Sequence, residues 1–314
     1  MYLHLKEKEF KNFLQIIKER SNIDVDIIEK DYYVCAVLNE LSKKQDYLKA
    51  YFKGGTAIYK ILDNMNRFSE DIDLTVKVLP KESNTRNKKR LKESALGYKI
   101  DGLELIKEEC IDNRGSVTGM YKYTSVYADT EMPLQRAEKI QVESTSFTVS
   151  EPTEKYYIEP LLYKFASDDE KKILEEKFNI TKIQIEMLKL ERMFIDKIFA
   201  TEFYYIREMY MDVSKHLYDI SILFNNYKIQ RLLENQEELS NLIEYKRNEE
   251  KARIGGIDEN TKIKDFNYFK LEFNNELERS FENMQNKYVL NDRYKVSIDE
   301  VKNILKRLYT KFCK

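Results

Sequence analysis

From residue 5 to residue 49 the apolar positions repeat with a helical period in two stretches. Phe10, Phe13, Leu14, Ile16 and Ile17 form one stripe; Tyr33, Val34, Val37, Leu38 and Leu41 form another. Both predict packed helices. The joining segment, "SNIDVDIIEKDYY", supplies capping residues in Asp24 and Asp26. The second helix then opens on Glu29-Lys30-Asp31, three charges beside an apolar face, where charged side chains are uncommon.

From about 48 to 150 the pattern changes to short β segments separated by polar stretches. "YLKAYF", "DIDLTVKV", "YKYTSVYA" and "EKIQVESTSFTV" are the predicted strands. The basic stretch "KESNTRNKKRLKES" is read as a solvated helix on the sheet, with a basic loop as the alternative. After "EPTEKYYIEPLLYKF" the pattern is helical to the end, through "QIEMLKLERMFIDKIFATEFYYI", "VSKHLYDISILF", "QEELSNLIEYKRNEEKARI" and "IDEVKNILKRLYTKF". The interruption "GGIDENTKIKDFNYF" is read as a surface loop. The expected class is α+β, with an α/β domain over 1–155 and an all-helical domain over 156–314.

Length and charge narrow the function classes. A chain of 314 residues accommodates two domains, and 42% hydrophobic with 35% charged residues predicts a folded protein. The 54 basic and 55 acidic residues cancel, so nucleic-acid contact would have to be local, with Arg86 to Lys92 as the candidate run. Three distant cysteines, Cys35, Cys110 and Cys313, argue against a disulfide framework or a paired-cysteine metal site and fit a reducing cytoplasm. The charged, periodic first residues do not read as a signal peptide, and no apolar run approaches the roughly 20 residues of a membrane span. With only His4 and His216 present, a multi-histidine zinc site is excluded and catalysis is expected on carboxylates. Most of the 23 tyrosines are expected in the core or at interfaces.

The densest chemistry lies in "FKGGTAIYKILDNMNRFSEDIDLTV". As a strand, "DIDLTVKV" turns Ile72, Leu74, Val76 and Val78 one way and Asp71, Asp73, Thr75 and Lys77 the other. The two carboxylates then sit about 7 Å apart at the backbone. They repel unless a cation lies between them. In isolation such a pair would merely solvate an edge strand. Here a predicted strand precedes it, ends in Gly54-Gly55 and enters a helix at Thr56. Glycines let a ligand approach the backbone, and a helix N-terminus favours phosphate. A phosphate cradle beside a divalent-cation site is the equipment of phosphoryl or nucleotidyl transfer.

A strand-GG-T-helix followed by "RFSEDIDL" resembles the AbiEii/AbiGii toxin branch of the nucleotidyltransferase superfamily, the bacterial abortive-infection and toxin–antitoxin enzymes. "EKDYYVCAVLNEL" resembles that family's lysine-aspartate helix, and "ERMFIDKIFA" and "KHLYDISIL" resemble its two C-terminal motifs; the likeness spans about 30–223. It implies a nucleotidyltransferase-like mixed β-sheet with flanking helices, followed by the helical domain. Gly54, Gly55 and Thr56 would hold the triphosphate, and Asp71 and Asp73 would coordinate Mg²⁺ or Mn²⁺. Lys197 and Asp219 would complete the site from the helical domain, the lysine neutralising phosphate charge. Lys30 and Asp31 would support it from the N-terminal helix, or form a local ion pair.

Superfamily members offer a third carboxylate from a later strand, where this chain has Gln141. Glu143 lies two residues on and shares a face with Gln141 and Lys139, so it is the candidate substitute, with one metal or two left open. Arg67 and Ser69 would bind phosphate or close the turn into the strand. On pattern alone, Lys197 among Phe194, Ile195, Ile198 and Phe199 would extend to water, and Asp219 would pair within its helix with Lys215 or His216.

The resemblance implies Mg²⁺-dependent transfer of a nucleotide monophosphate from an NTP to a macromolecular acceptor, a tRNA or a protein hydroxyl. One of the aspartates or Glu143 would serve as general base. The biological role would be that of a growth-arresting cytoplasmic toxin held in check by a cognate antitoxin. Two rivals remain: a small-molecule nucleotidyltransferase of the antibiotic-modifying kind, and a degenerate fold acting as an interaction scaffold, the latter motivated by Gln141.

Overall fold

A computed structural model describes residues 2–62, 67–127, 138–253 and 255–313. The chain divides into two compact units, Met1–Met187 and Leu188–Lys314.

The first unit begins with α1 (Glu7–Ser21) and α2 (Val25–Leu48). Asn22 and Lys49, both in the left-handed region, terminate them. Lys49 also explains a boundary: Tyr47 and Leu48, expected in a strand, finish α2, and β1 runs only over Ala50–Lys53. Phe10, Phe13, Leu14 and Ile17 are buried as the α1 stripe requires, while Ile16 falls outside it and is exposed. His4 bonds through Nδ1 to the Tyr32 hydroxyl at 2.8 Å and through Nε2 to the Asp101 carbonyl at 2.6 Å. It is an anchor for the start of the chain. Burial pushes the Cys35 thiol up to about 12, which makes it an apolar filler rather than a nucleophile.

After β1 come α3 (Gly54–Ile61), β2 (Ile72–Val76) and α4 (Asn84–Leu96). The remaining elements are β3 (Leu103–Leu105), β4 (Ile111–Asn113), β5 (Ser116–Tyr123), β6 (Lys139–Thr145), β7 (Thr153–Ile158), α5 (Leu161–Lys164), α6 (Asp168–Phe178) and β8 (Ile183–Leu188). Among the described residues they form one mixed sheet in the order β3-β5-β6-β2-β1-β8-β7, with β4 beside β5. β2 runs antiparallel to β1 and parallel to β6; β8 is parallel to β1.

Three expectations change. The "YKYTSVYA" strand is displaced: β5 begins at Ser116 and ends at Tyr123, and Ala128 lies outside the described residues. Residues after 155 are not helical throughout, because "TEKYYI" and "IQIEML" are β7 and β8. Since β8 pairs with β1, the segment between them is drawn into the first unit, whereas the sequence pattern had set the boundary after 155.

The basic stretch is a helix, capped by Ser83, whose hydroxyl accepts from Arg86 N at 3.3 Å. Arg90 is buried and donates to the carbonyls of Leu48 at 3.0 Å and Lys77 at 3.1 Å. Arg86 faces Glu82 at 3.6 Å and Lys92 faces Asp112 at 2.6 Å. Much of the run's charge is thus internally matched, and its exposed remainder includes Lys88 and Lys89.

The second unit is built from α7 (Leu190–Tyr205), α8 (Tyr210–Phe224), α9 (Tyr227–Glu234), α10 (Gln236–Ala252), α11 (Asn275–Tyr288) and α12 (Ile298–Phe312). The stretch 255–269, expected as a surface loop, is a packed connector. Ile257, Ile263, Phe266, Tyr268 and Phe269 are buried, and the Glu202 carboxylate accepts from Asn267 N at 2.8 Å. Among the described residues no helix is long and apolar enough to cross a membrane.

Candidate active site

β1 delivers the chain to Gly54, whose φ of +86° only glycine adopts readily. α3 therefore starts at Gly54, two residues before the expected Thr56. A methyl carbon added at Gly54 would stand 2.9 Å from Cγ of Asp73, so the missing side chain is the space that the Asp73 carboxylate uses. At Gly55 an added carbon would stand 2.9 Å from Ser69 Oγ and 3.1 Å from the Arg67 guanidinium. Thr56 Oγ1 donates to Ser69 Oγ at 3.0 Å. The buried Arg67 faces the Tyr59 ring at 5.3 Å and donates to the Phe68 carbonyl at 3.2 Å. Gly54, Gly55, Thr56, Arg67, Ser69 and Asp73 are thus gathered at one helix N-terminus.

Gly54→Ala is expected to cost about 1–2 kcal/mol for the left-handed backbone alone. By moving Asp73 it should lower transfer by roughly 10²-fold, as ångström-scale misplacement does. Thermal unfolding and a labelled-nucleotide assay check the two parts separately.

Along β2 the alternation holds where it matters: Ile72, Leu74 and Val76 are buried while Asp73 is half-buried, as is Asp71 just before the strand. Val78, expected on the apolar side, lies beyond the strand and is 49% exposed. Thr75, on the polar side, is sealed by Thr148 Oγ1 at 2.7 Å and Ser150 Oγ at 2.8 Å. The open part of that face is therefore its Asp71–Asp73 end. The register across β2 and β6 pairs Asp73 with Glu143, and Ile72 with Val142, so Gln141 falls beside Asp71. Glu143 occupies the position next to Asp73.

Among the described residues no three acidic, imidazole or thiol side chains already converge as a metal cluster. The donor set at this edge is nonetheless carboxylate oxygen. With Asp71, Asp73 and Glu143 on one face beside the glycine-led helix, the residues fit a hard divalent cation in donor type.

Lys30 and Asp31 do not pair with each other. Lys30 is fully buried, meets Glu70 Oε2 at 3.1 Å and donates to the Lys139 carbonyl. Asp31 accepts from Lys60 of α3 at 2.5 Å and from Leu161 N at 2.7 Å. Burial alone would lower the Lys60 ammonium, but Asp31 outweighs it and holds the group above the ordinary lysine value. Glu70 and Lys60 were missed in the sequence, although Glu70 stands inside "RFSEDIDL" and Lys60 one turn past the glycines.

In the second unit, Lys197 on α7 meets Asp219 Oδ2 of α8 at 2.9 Å and His216 Nδ1 at 3.4 Å. The lysine is buried rather than extended to water, and Asp219 pairs across helices rather than with Lys215. Tyr204 stacks on His216 at 5.4 Å. One turn earlier, buried Arg192 pairs with Asp196 at 2.5 Å and with Glu249 of α10, where Lys246 also meets Glu249 at 2.9 Å. α7 is thereby tied to both α8 and α10.

A family model described as nucleotidyl transferase AbiEii toxin, type IV toxin–antitoxin system, matches residues 36–307. Among solved structures, MenT4, a nucleotidyltransferase toxin from Mycobacterium tuberculosis H37Rv, is similar at 14% identity with a TM-score of 0.43, over 94% of this chain and 98% of that one. No curated protein sequence matches. The family match extends well past residue 223, where the recognisable motifs end, and takes in most of the helical unit. The chain belongs to the AbiEii family of NTP-using nucleotidyltransferase toxins of type IV toxin–antitoxin systems.

Proposed function

We propose that this protein transfers a nucleotidyl group from an NTP to a hydroxyl of a macromolecular acceptor, a tRNA or a protein, with Mg²⁺ or Mn²⁺ as cofactor. The observation that carries the reading is the pairing of Asp73 with Glu143 beside the Gly54-led start of α3. Backbone N–H groups at Gly54, Gly55 and Thr56 bind the triphosphate, assisted by Ser69 and Arg67. Asp71, Asp73 and Glu143 would hold the cation, which supplies Lewis-acid stabilisation of charge on the phosphate oxygens when bound. The acceptor oxygen attacks the α-phosphorus as the bond to the bridging oxygen breaks. Pyrophosphate leaves with that electron pair, and the hydroxyl proton passes to one of the aspartates or to Glu143.

To Lys197, in the helical unit, we assign neutralisation of phosphate charge, with Asp219 fixing its ammonium. A cognate antitoxin and a cytoplasmic site of action accord with membership of a type IV toxin–antitoxin family.

The test is incubation with each α-labelled ribonucleoside triphosphate, Mg²⁺ and a cell extract. Label in the acid-insoluble fraction is the expected result, released by nuclease for a tRNA acceptor and by protease for a protein, and abolished by chelator. Label confined to small molecules would identify the antibiotic-modifying rival. No label, together with no Mg-NTP binding by calorimetry, would leave a scaffold.

A further inference from the structure

Glu29, Lys30 and Asp31 are consecutive on α2, and all three are buried. Successive helical side chains diverge by about 100°, so three neighbours reach three different places. Glu29 accepts from Ser125 Oγ at 2.6 Å and from Val126 N at 2.9 Å, in the turn after β5. Lys30 bridges Glu70, the residue before Asp71, and the carbonyl of Lys139, the first residue of β6. Asp31 holds Lys60, which sits on α3 and also donates to the Glu159 carbonyl at 3.0 Å.

β2 and β6 are parallel, so both begin at the same end of the sheet, and the Lys30 ammonium lies across that end. A single cation thereby ties the segment carrying Asp71 to the strand carrying Glu143. On the next residue, Asp31 fixes the helix whose N-terminus faces the phosphates.

We propose that Lys30 with Glu70, and Asp31 with Lys60, are two positioning arms of one hub: the first sets the spacing of the carboxylates, the second sets α3 against the triphosphate. This rests on reading Asp71, Asp73 and Glu143 as the cation site. Neither arm touches substrate, and Lys30 acts through Glu70 rather than as a phosphate ligand. Buried charge of this kind is costly to keep unless its geometry is used. Partners that orient metal-binding groups from behind typically change metal affinity or activity by about 10- to 100-fold when removed.

The test uses the full chain in three forms: the Lys30→Met/Glu70→Gln double variant, the Asp31→Asn/Lys60→Met double variant, and Asp71→Ala as the reference for the cation site. Each double variant removes both charges, so no orphaned ion is left to prevent folding; the more polar Lys30→Gln/Glu70→Gln pair, which also removes both charges, serves if the first double does not fold. Mn²⁺ binding is followed by paramagnetic resonance without turnover, and kcat and NTP KM by label transfer.

The first arm should weaken Mn²⁺ binding about 10- to 100-fold and lower kcat, with NTP KM held within about twofold. The second should raise NTP KM at unchanged Mn²⁺ affinity. If both arms lower only the melting temperature, and the folded protein binds Mn²⁺ and NTP as wild type does, the hub is merely structural and the proposal is wrong. If Asp71→Ala itself binds Mn²⁺ normally, the cation-site reading fails and the proposal falls with it. Loss of binding in Asp71→Ala alone refutes the positioning arms and leaves that reading intact.

Discussion

Replacing Asp71 and Asp73 together by alanine is expected to lower label transfer by roughly 10³-fold, equivalent to about 4 kcal/mol of barrier. Both side chains are only half-buried, and the apolar face of β2, with Ile72 and Leu74, is untouched. The fold should survive. Circular dichroism on the same preparations checks that the variant is folded. Loss of function without loss of stability is the signature of a site rather than a scaffold. Unchanged label transfer by the double variant would remove both aspartates from the chemistry.

Asp219→Ala is expected to cost about 3–5 kcal/mol of stability, because it leaves the buried Lys197 ammonium without its carboxylate. The imidazole nitrogen of His216, at 3.4 Å, is a more distant neighbour that carries no carboxylate. Removing both charges in Lys197→Met/Asp219→Leu should recover most of that stability, since a buried pair replaced by apolar groups of similar volume is often nearly neutral. If Lys197 serves the reaction, the double variant is stable but inactive. Chemical denaturation and label transfer on the same preparations separate the two effects, and a stable, active double variant would confine Lys197 and Asp219 to packing.

The local elements were legible where one physical signal dominated. The α1 and α2 stripes, the Ser83-capped α4 and the alternation in β2 all follow from side-chain period and capping. β8 was not legible: "IQIEML" alternates, but it abuts α7 with only Lys189 between them, and the two read as one continuous helical stretch. β3 and β4, three residues each, are too short for any period to register. At the candidate site, the glycines and Asp71 and Asp73 were visible as local spacing. Glu143 was ambiguous beside Gln141 until the register of β2 on β6 placed it opposite Asp73. Register is a property of two distant strands, and no local pattern contains it. The same limit hid Lys60 and Glu70, which matter through what α2 brings to them.

β1 is hydrogen-bonded on one side to β2 and on the other to β8, which the ribosome makes much later. A nascent chain that has emitted its glycines and aspartates therefore carries one edge of β1 as an open row of N–H and C=O groups, a template for mispairing. At about 5–20 residues per second, the wait from Gly54 to β8 is on the order of ten seconds. During that interval the Gly54-Gly55 turn hangs from a strand with only one neighbour. Co-translational timing thus imposes a period in which the toxin's parts exist but its sheet is unfinished.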